Sequence, residues 1–205
     1  MLYEKYKNAR NLTWRLIIDC GICELPVKVS SICKMIGIEI KAYSKNKEFV
    51  DYFLKDKERD GFAIEINNKP IIFFNDECTI GRQRFTAAHE LGHILLSHTG
   101  YCDLENHEIK EDDKETEIQA NIFASRLLAP ACVLKECGVK NSMEIENLCN
   151  ISHTAAEFRM KRLNELYKRD EEFLKTRGKG CFYLSPLELK IKEQFTEYIA
   201  KNKIR

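Results

Sequence analysis

The chain has 205 residues, with 33 Lys+Arg against 32 Asp+Glu and a formal net charge of +1. Hydrophobic residues at 44% and aromatics at 10% are enough to build a core, which excludes a disordered chain. The balanced charge lacks the basic footprint of a nucleic-acid binder, and no apolar run approaches the roughly 18–20 residues of a membrane span.

Residues 3–20 carry an amphipathic helical pattern that crowds Trp14, Leu16, Ile17 and Ile18 into its later turns before Gly21 and Pro26 break it. Val27–Ile36 predicts a second, short helix ending at Gly37. Ile38–Tyr43 reads as a strand, followed by a lysine-rich loop near Lys45. Two further strands are expected at Gly61–Asn67, where Phe62, Ile64 and Ile66 alternate with Ala63, Glu65 and Asn67, and at Lys69–Phe74. The Asn67-Asn68 pair between them is a hairpin signal, because Asn tolerates positive φ. The pattern turns helical from Arg82 to His98, and Gly100–Thr116 predicts a polar, charge-rich loop. Glu117–Leu128 reads as a helix stopped by Pro130, and helices are expected near 141–149 and 152–168. Gly178 and Gly180 mark a break. Ser185-Pro186-Leu187-Glu188 then has the form of a capping box with Pro in the first turn, opening a last helix to about Lys201. That helix carries Leu187, Ile191, Phe195, Tyr198 and Ile199 on one side.

The segment RFTAAHELGHILLSH, Arg84 to His98, carries the chemistry. His89 and His93 lie four residues apart, so on a helix both imidazoles share a face and can grip one Zn²⁺. Glu90 is about 100° round the helix from His89, which places its carboxylate beside the metal as a base for an attacking water and not as a ligand. HExxH on a helix is the zinc-protease pattern with this mechanism. A catalytic zinc needs a third protein ligand and one open position. The metzincin continuation is excluded, since its Gly and His positions are Leu96 and Thr99 here. The candidates for third ligand are His98, His107 and a downstream carboxylate. On a straight helix His98 faces away from the metal, and His107 lies in the charged loop. Glu117 opens a helix whose Ala120, Phe123, Ala124, Leu127 and Leu128 form an apolar stripe suited to packing on the HELGH helix. Small residues at 120 and 124 permit close approach, which brings Glu117 toward the histidines as the Glu of a His₂Glu site. Asn121, one turn on, is a candidate to hold that ligand. His153, Tyr101 and Arg159 are candidates for stabilising the transition state.

RFTAAHELGHILLSH, then EIQANIFASRLLAP and ISHTAAEFRMKRL, resemble the ImmA/IrrE-type metallopeptidases over about residues 24–167. The upstream LPVKVSSICKMIGIEI and the strand start at Asp60-Gly61 are similar to that family's N-terminal half. The resemblance implies that His89, His93 and Glu117 bind zinc and that Glu90 is catalytic. It also implies an intracellular protein that cuts or otherwise inactivates a helix-turn-helix transcriptional repressor and so induces mobile-element, phage or stress genes. The family pattern has a His directly after its two leucines, where this chain has Ser97 and then His98.

The expected fold is therefore α+β and zincin-like: a small sheet under a helical layer carrying the HExxH zinc helix, with a C-terminal helical extension. The expected domains are residues 1–170, the metallopeptidase domain, and 171–205, the extension. Nine cysteines, an odd number without a disulfide rhythm, and a charged N-terminal stretch unlike a signal peptide lead to the expectation of reduced thiols in a cytoplasm. Cys20-Gly21-Ile22-Cys23 is a lone CxxC without the second half that a zinc knuckle needs. The expected partner is the repressor protein, with no direct nucleic-acid or membrane contact. The other reading of the same residues is a zinc-stabilised protein that sequesters a repressor without cutting it. An intact Glu90 favours the enzyme, because a purely structural site needs no base beside the metal.

Overall fold

The computed structural model describes residues 2–54, 58–67, 69–98, 114–177 and 185–204. In chain order the elements are α1 (Leu2–Asp19), α2 (Val29–Met35), β1 (Glu39–Ala42), a 3-10 turn (Tyr43–Lys45), α3 (Lys47–Leu54), β2 (Gly61–Ile66), β3 (Lys69–Phe74), α4 (Ile80–Leu95), α5 (Lys114–Leu128), α6 (Ala131–Glu136), α7 (Ser142–Cys149), α8 (His153–Arg177), α9 (Pro186–Gln194) and α10 (Thr196–Lys201). The class is α+β, mostly helical with one small sheet. The chain divides into two compact units, Met1–Arg10 with Lys28–Ala124 and Asn11–Val27 with Ser125–Arg205. Among the described residues no helix is long and apolar enough to cross a membrane.

The first unit is built on a three-stranded sheet in the order β1-β3-β2. β2 and β3 pair antiparallel, with Phe62 opposite Phe73, Ala63 opposite Ile72 and Ile64 opposite Ile71. Asn67, at φ 51°, sits at the reversal, as the Asn-Asn signal predicts. β1 joins the other side of β3 in parallel. Because side chains alternate along a strand, the register sorts the sheet into two faces. Phe62, Ile64, Ile71 and Phe73 form one face, packed with Val50 and Phe53 of α3. The rings of Phe62 and Phe73 stack at 5.1 Å, and Phe49 of α3 stacks on Phe73 at 5.0 Å. The opposite face carries Gly61, Ala63 and Ile72, and α4 packs on β2 and β3. A strand covered on both faces reads as a nearly unbroken apolar run, which is the pattern of Lys69–Phe74.

α3 departs from the expected lysine-rich loop. Its signal is present in Phe49, Val50 and Phe53, spaced for one helical face, but lysines at 45, 47 and 55 mask it. Each fully buried Phe or Ile contributes about 1.5–3 kcal/mol, enough for this short helix to hold against the sheet.

The second unit is helical. The predicted capping box opens α9: the Glu188 amide donates to Ser185 Oγ at 3.4 Å and the Ser185 amide donates to Glu188 Oε2 at 2.9 Å. The expected single last helix is broken at Phe195, which is fully buried and caps α9 before α10 begins. α9 packs on α6, where Lys192 pairs with Glu136 at 2.9 Å, and the Gln194 amide donates to Ile17 O and Ile22 O. α7 and α8 pack on each other across a short turn in which Asn150 takes the left-handed conformation. α8 begins under a Ser152 cap and runs on past the expected end near 168 to Arg177. The predicted break at Gly178 and Gly180 lies outside the described residues.

Candidate metal centre

α4 presents its apolar side, including Ala87, Ala88 and Leu91, to the interior of the first unit. The other side carries His89, Glu90 and His93. α5 crosses α4 at close range because Gly92 has no side chain: a Cβ there would lie 3.1 Å from the Phe123 ring and 3.3 Å from Ala120 Cα. Ala120 and Phe123 are fully buried at this crossing. Glu117, one turn upstream on α5, is thereby brought over the histidines, as the small-residue stripe predicts.

Three donor atoms converge. His89 Nε2 and His93 Nε2 are 2.9 Å apart, His89 Nε2 is 3.4 Å from Glu117 Oε2, and His93 Nε2 is 3.5 Å from Glu117 Oε1. These three residues form a group that could hold a metal ion. The histidine side chains are 15% and 7% exposed against 44% for Glu117, so the imidazoles form the floor and the carboxylate the rim. Among the described residues His89 Nδ1 is buried and has no hydrogen-bond partner.

The electrostatics favour a cation. Burial pulls the His89 imidazole down, but a hydrogen bond with Glu117, the charges of Glu90 and Glu117, and the Asn121 side chain outweigh it and hold the group above its ordinary value. The same carboxylates that hold this imidazole up would attract a metal cation.

A cleft of about 610 Å³ opens over these groups, lined by His89, Glu90, Glu117 and Asn121. Glu58, Arg59, Asp60 and Gly61 at the start of β2, and Arg82, Phe85 and Thr86 of α4, form the rest of its walls. Gly61 is there for space: a Cβ would lie 2.3 Å from Thr86 Cγ2 and 2.8 Å from Phe73 O, and 3.7 Å from Glu90 Cγ. Its absence lets β2 start directly beside Glu90. Asp60 accepts from the Arg82 guanidinium, which ties the β2 entrance to the first turn of α4. Tyr43 donates to Arg59 O at 3.3 Å, and its phenol is pushed well above its usual range by burial, then by the charges of Glu90 and Asp60. Sequence reading did not single out Tyr43, Arg59, Arg82 or Phe85. Phe85 and Arg82, one and two turns before His89 on α4, share its helical spacing, whereas Arg59 meets the site only through the sheet.

His98 lies off the donor group, as expected, but folds back behind His93 and is buried there. The helix stops at Leu95, and the Ser97 amide donates to Ile94 O while the His98 amide donates to His93 O, both at 3.1 Å. With Ser97 at φ 54° this is a Schellman reversal. It folds the buried His98 ring back to 3.1 Å between its Nδ1 and His93 Nδ1, the nitrogen remote from the donor cluster. His98 therefore meets the outer side of a candidate ligand and is not in the group that could hold the ion.

The remaining candidates divide. His153 is exposed and pairs with Glu146 at 3.0 Å and Glu157 at 3.4 Å within the second unit. Its imidazole is raised by the hydrogen bond to Glu146 and the charge of Glu157. Arg159, also in the second unit, is buried and donates to Ala129 O at 2.6 Å. Tyr101 and His107 lie outside the described residues.

Residues 33–172 match the family Peptidase_M78, the IrrE N-terminal-like domain. The chain belongs to the Peptidase_M78 family. That membership supports a metallopeptidase, and the matched span holds His89, Glu90, His93 and Glu117. No curated protein matches the chain.

Proposed function

We propose that this chain is a zinc-dependent endopeptidase with a zincin-like site, acting in the cytoplasm on a helix-turn-helix transcriptional repressor. The reading is carried by one observation: two imidazole nitrogens and a carboxylate oxygen lie 2.9–3.5 Å from one another in a cleft shared with Glu90. Bonds of about 2.0–2.1 Å in a tetrahedron imply donor separations of roughly 3.3 Å, and a His₂Glu set leaves the fourth position open. The donor set therefore fits Zn²⁺. When bound, that ion supplies Lewis-acid chemistry, acidifying a water and polarising the scissile carbonyl.

The chain's own residues do the rest. His89, His93 and Glu117 hold the ion, and Asn121 lines the cleft beside them. Glu90 takes the proton of the attacking water and passes it to the leaving amine nitrogen, which makes cleavage possible near neutral pH. Phe85 and the arginines at 59 and 82 offer apolar and charged walls to a peptide lying in the cleft.

The repressor as substrate rests on the resemblance of the segments holding HELGH and ExxANxFAxxLLxP to the ImmA/IrrE-type metallopeptidases. Its cleavage would induce mobile-element, phage or stress genes, with no contact between this chain and DNA or membrane. Glu90→Gln tests the reading: the variant should keep its zinc and lose cleavage of the repressor. If it relieves repression as fully as the parent chain, the peptidase reading fails and sequestration by a zinc-stabilised binding protein replaces it.

A further inference from the structure

We propose that His98 is a positioning residue for the metal centre: it accepts a hydrogen bond from His93 Nδ1–H and so holds His93 in the tautomer and ring orientation that offer Nε2 to the ion. The inference rests on the zinc reading above.

A neutral imidazole carries one N–H, and it coordinates only through the nitrogen that lacks it. Which nitrogen that is depends on the partner of the other one. His93 Nε2 faces His89 Nε2 at 2.9 Å and Glu117 Oε1 at 3.5 Å, so Nε2 is the donor of this residue. His93 Nδ1 lies 3.1 Å from His98 Nδ1, with the rings 5.0 Å apart and inclined at 76°. One proton serves that Nδ1–Nδ1 bond. If His98 donates it, His93 must carry its own proton on Nε2 and cannot bind a metal. If His93 donates it, Nε2 is left with a lone pair directed into the donor cluster, and His98 carries its proton on Nε2.

The local fold delivers His98 to this point. In a Schellman reversal the second residue past the cap ordinarily makes an apolar contact with the helix residue it folds back upon. Here those two residues are His98 and His93, bonded through the backbone at 3.1 Å and through their rings as well. His98 is 7% exposed, and burying a polar ring without use is costly where a Leu or Phe would fill the space. Ser97 accepts a left-handed backbone, disfavoured for a residue with a Cβ, to make the turn.

Two variants separate positioning from space filling. His98→Phe keeps the volume and removes the acceptor, whereas His98→Asn puts an amide oxygen near the position of Nδ1. Zinc affinity, measured by competition with a chromogenic chelator, is expected to fall about 10- to 100-fold in the Phe variant and to recover most of that loss in the Asn variant. A filler role predicts the reverse order. Parental affinity in the Phe variant, or equal losses in both, overturns the inference while the zinc centre stands. If the parent chain binds no zinc, the centre itself fails and the inference goes with it. Nitrogen-15 spectra of the zinc-loaded parent chain need no variant to fold: His98 should carry its proton on Nε2 and accept at Nδ1, and a proton on His98 Nδ1 overturns the proposal.

Discussion

Gly92 of α4 and Phe123 of α5 meet so closely that a Cβ on Gly92 would stand 3.1 Å from a Phe123 ring carbon and 3.2 Å from its Cβ. The contact does more than pack two helices. Gly92 directly precedes His93, and Phe123 lies less than two turns beyond Glu117, so the interhelical distance at this crossing sets the separation of two candidate ligands. A middle glycine costs an α-helix about 0.5–1 kcal/mol relative to alanine. That cost is offset here by the approach that the missing side chain allows.

Gly92→Val should therefore weaken both the fold and the metal centre. Overpacking of this kind costs about 1–3 kcal/mol, and a chain of this size loses roughly 2–4 °C of melting temperature per kcal/mol. Gly92→Ala should lower the melting temperature less than Val does, because its helix gain offsets part of the tight contacts with Phe123 Cβ and Ala120 Cα, which ring rotation alone does not relieve. Thermal unfolding of the metal-free chain and zinc competition measure the two effects separately. If the Val variant binds zinc like the parent, the crossing does not set the ligand spacing.

Glu117→Gln keeps the shape of the side chain and removes its charge. Loss of a direct ligand should cost more zinc affinity than the roughly 10- to 100-fold typical of a residue behind a ligand. The same change should lower the His89 imidazole, since Glu117 supplies both a hydrogen bond and a charge that hold it up. Zinc competition and an NMR titration of His89 check these outcomes. An unchanged affinity would move the third ligand to His107 or another carboxylate.

The two imidazoles and Glu90 are legible in five letters, because helical spacing alone puts them on adjoining faces. Glu117 is legible one step further on, through the small residues at 120 and 124 that announce a close helix crossing. Gly92, inside the same five letters, is the matching half of that crossing, and only the facing helix reveals its use. His98 stays outside the donor group, as helical spacing implies, but its place behind His93 is not legible, because Ser97, with no glycine to signal a left-handed turn, reverses the chain after Leu95. Arg59 and Asp60 reach the cleft through sheet topology, in which β1 crosses over to pair with β3 and β2 returns beside α4. No local pattern encodes that arrangement. The hairpin and the α9 capping box were legible because both are set by nearest neighbours, while α3 depends on its burial against Phe62 and Phe73.

The pH dependence of stability should change sign when zinc is added. In the metal-free chain the His89 imidazole is held above its ordinary value, so the folded state binds the proton more tightly than the unfolded one. That contribution is fully present below the unfolded value of about 6.5 and is lost as pH rises through the raised folded value. Metal-free melting temperature should decline across this window. Zinc needs the same imidazole neutral, so binding expels the proton and tightens as pH rises through the window. Because a ligand stabilises in proportion to the logarithm of its concentration over its dissociation constant, the gain on adding zinc should widen while the metal-free baseline falls. Calorimetry at several values between about pH 6 and 8, with and without zinc, reads both slopes, and Glu117→Gln should flatten the metal-free one. Parallel profiles with and without metal would show that the proton and the metal do not compete for His89.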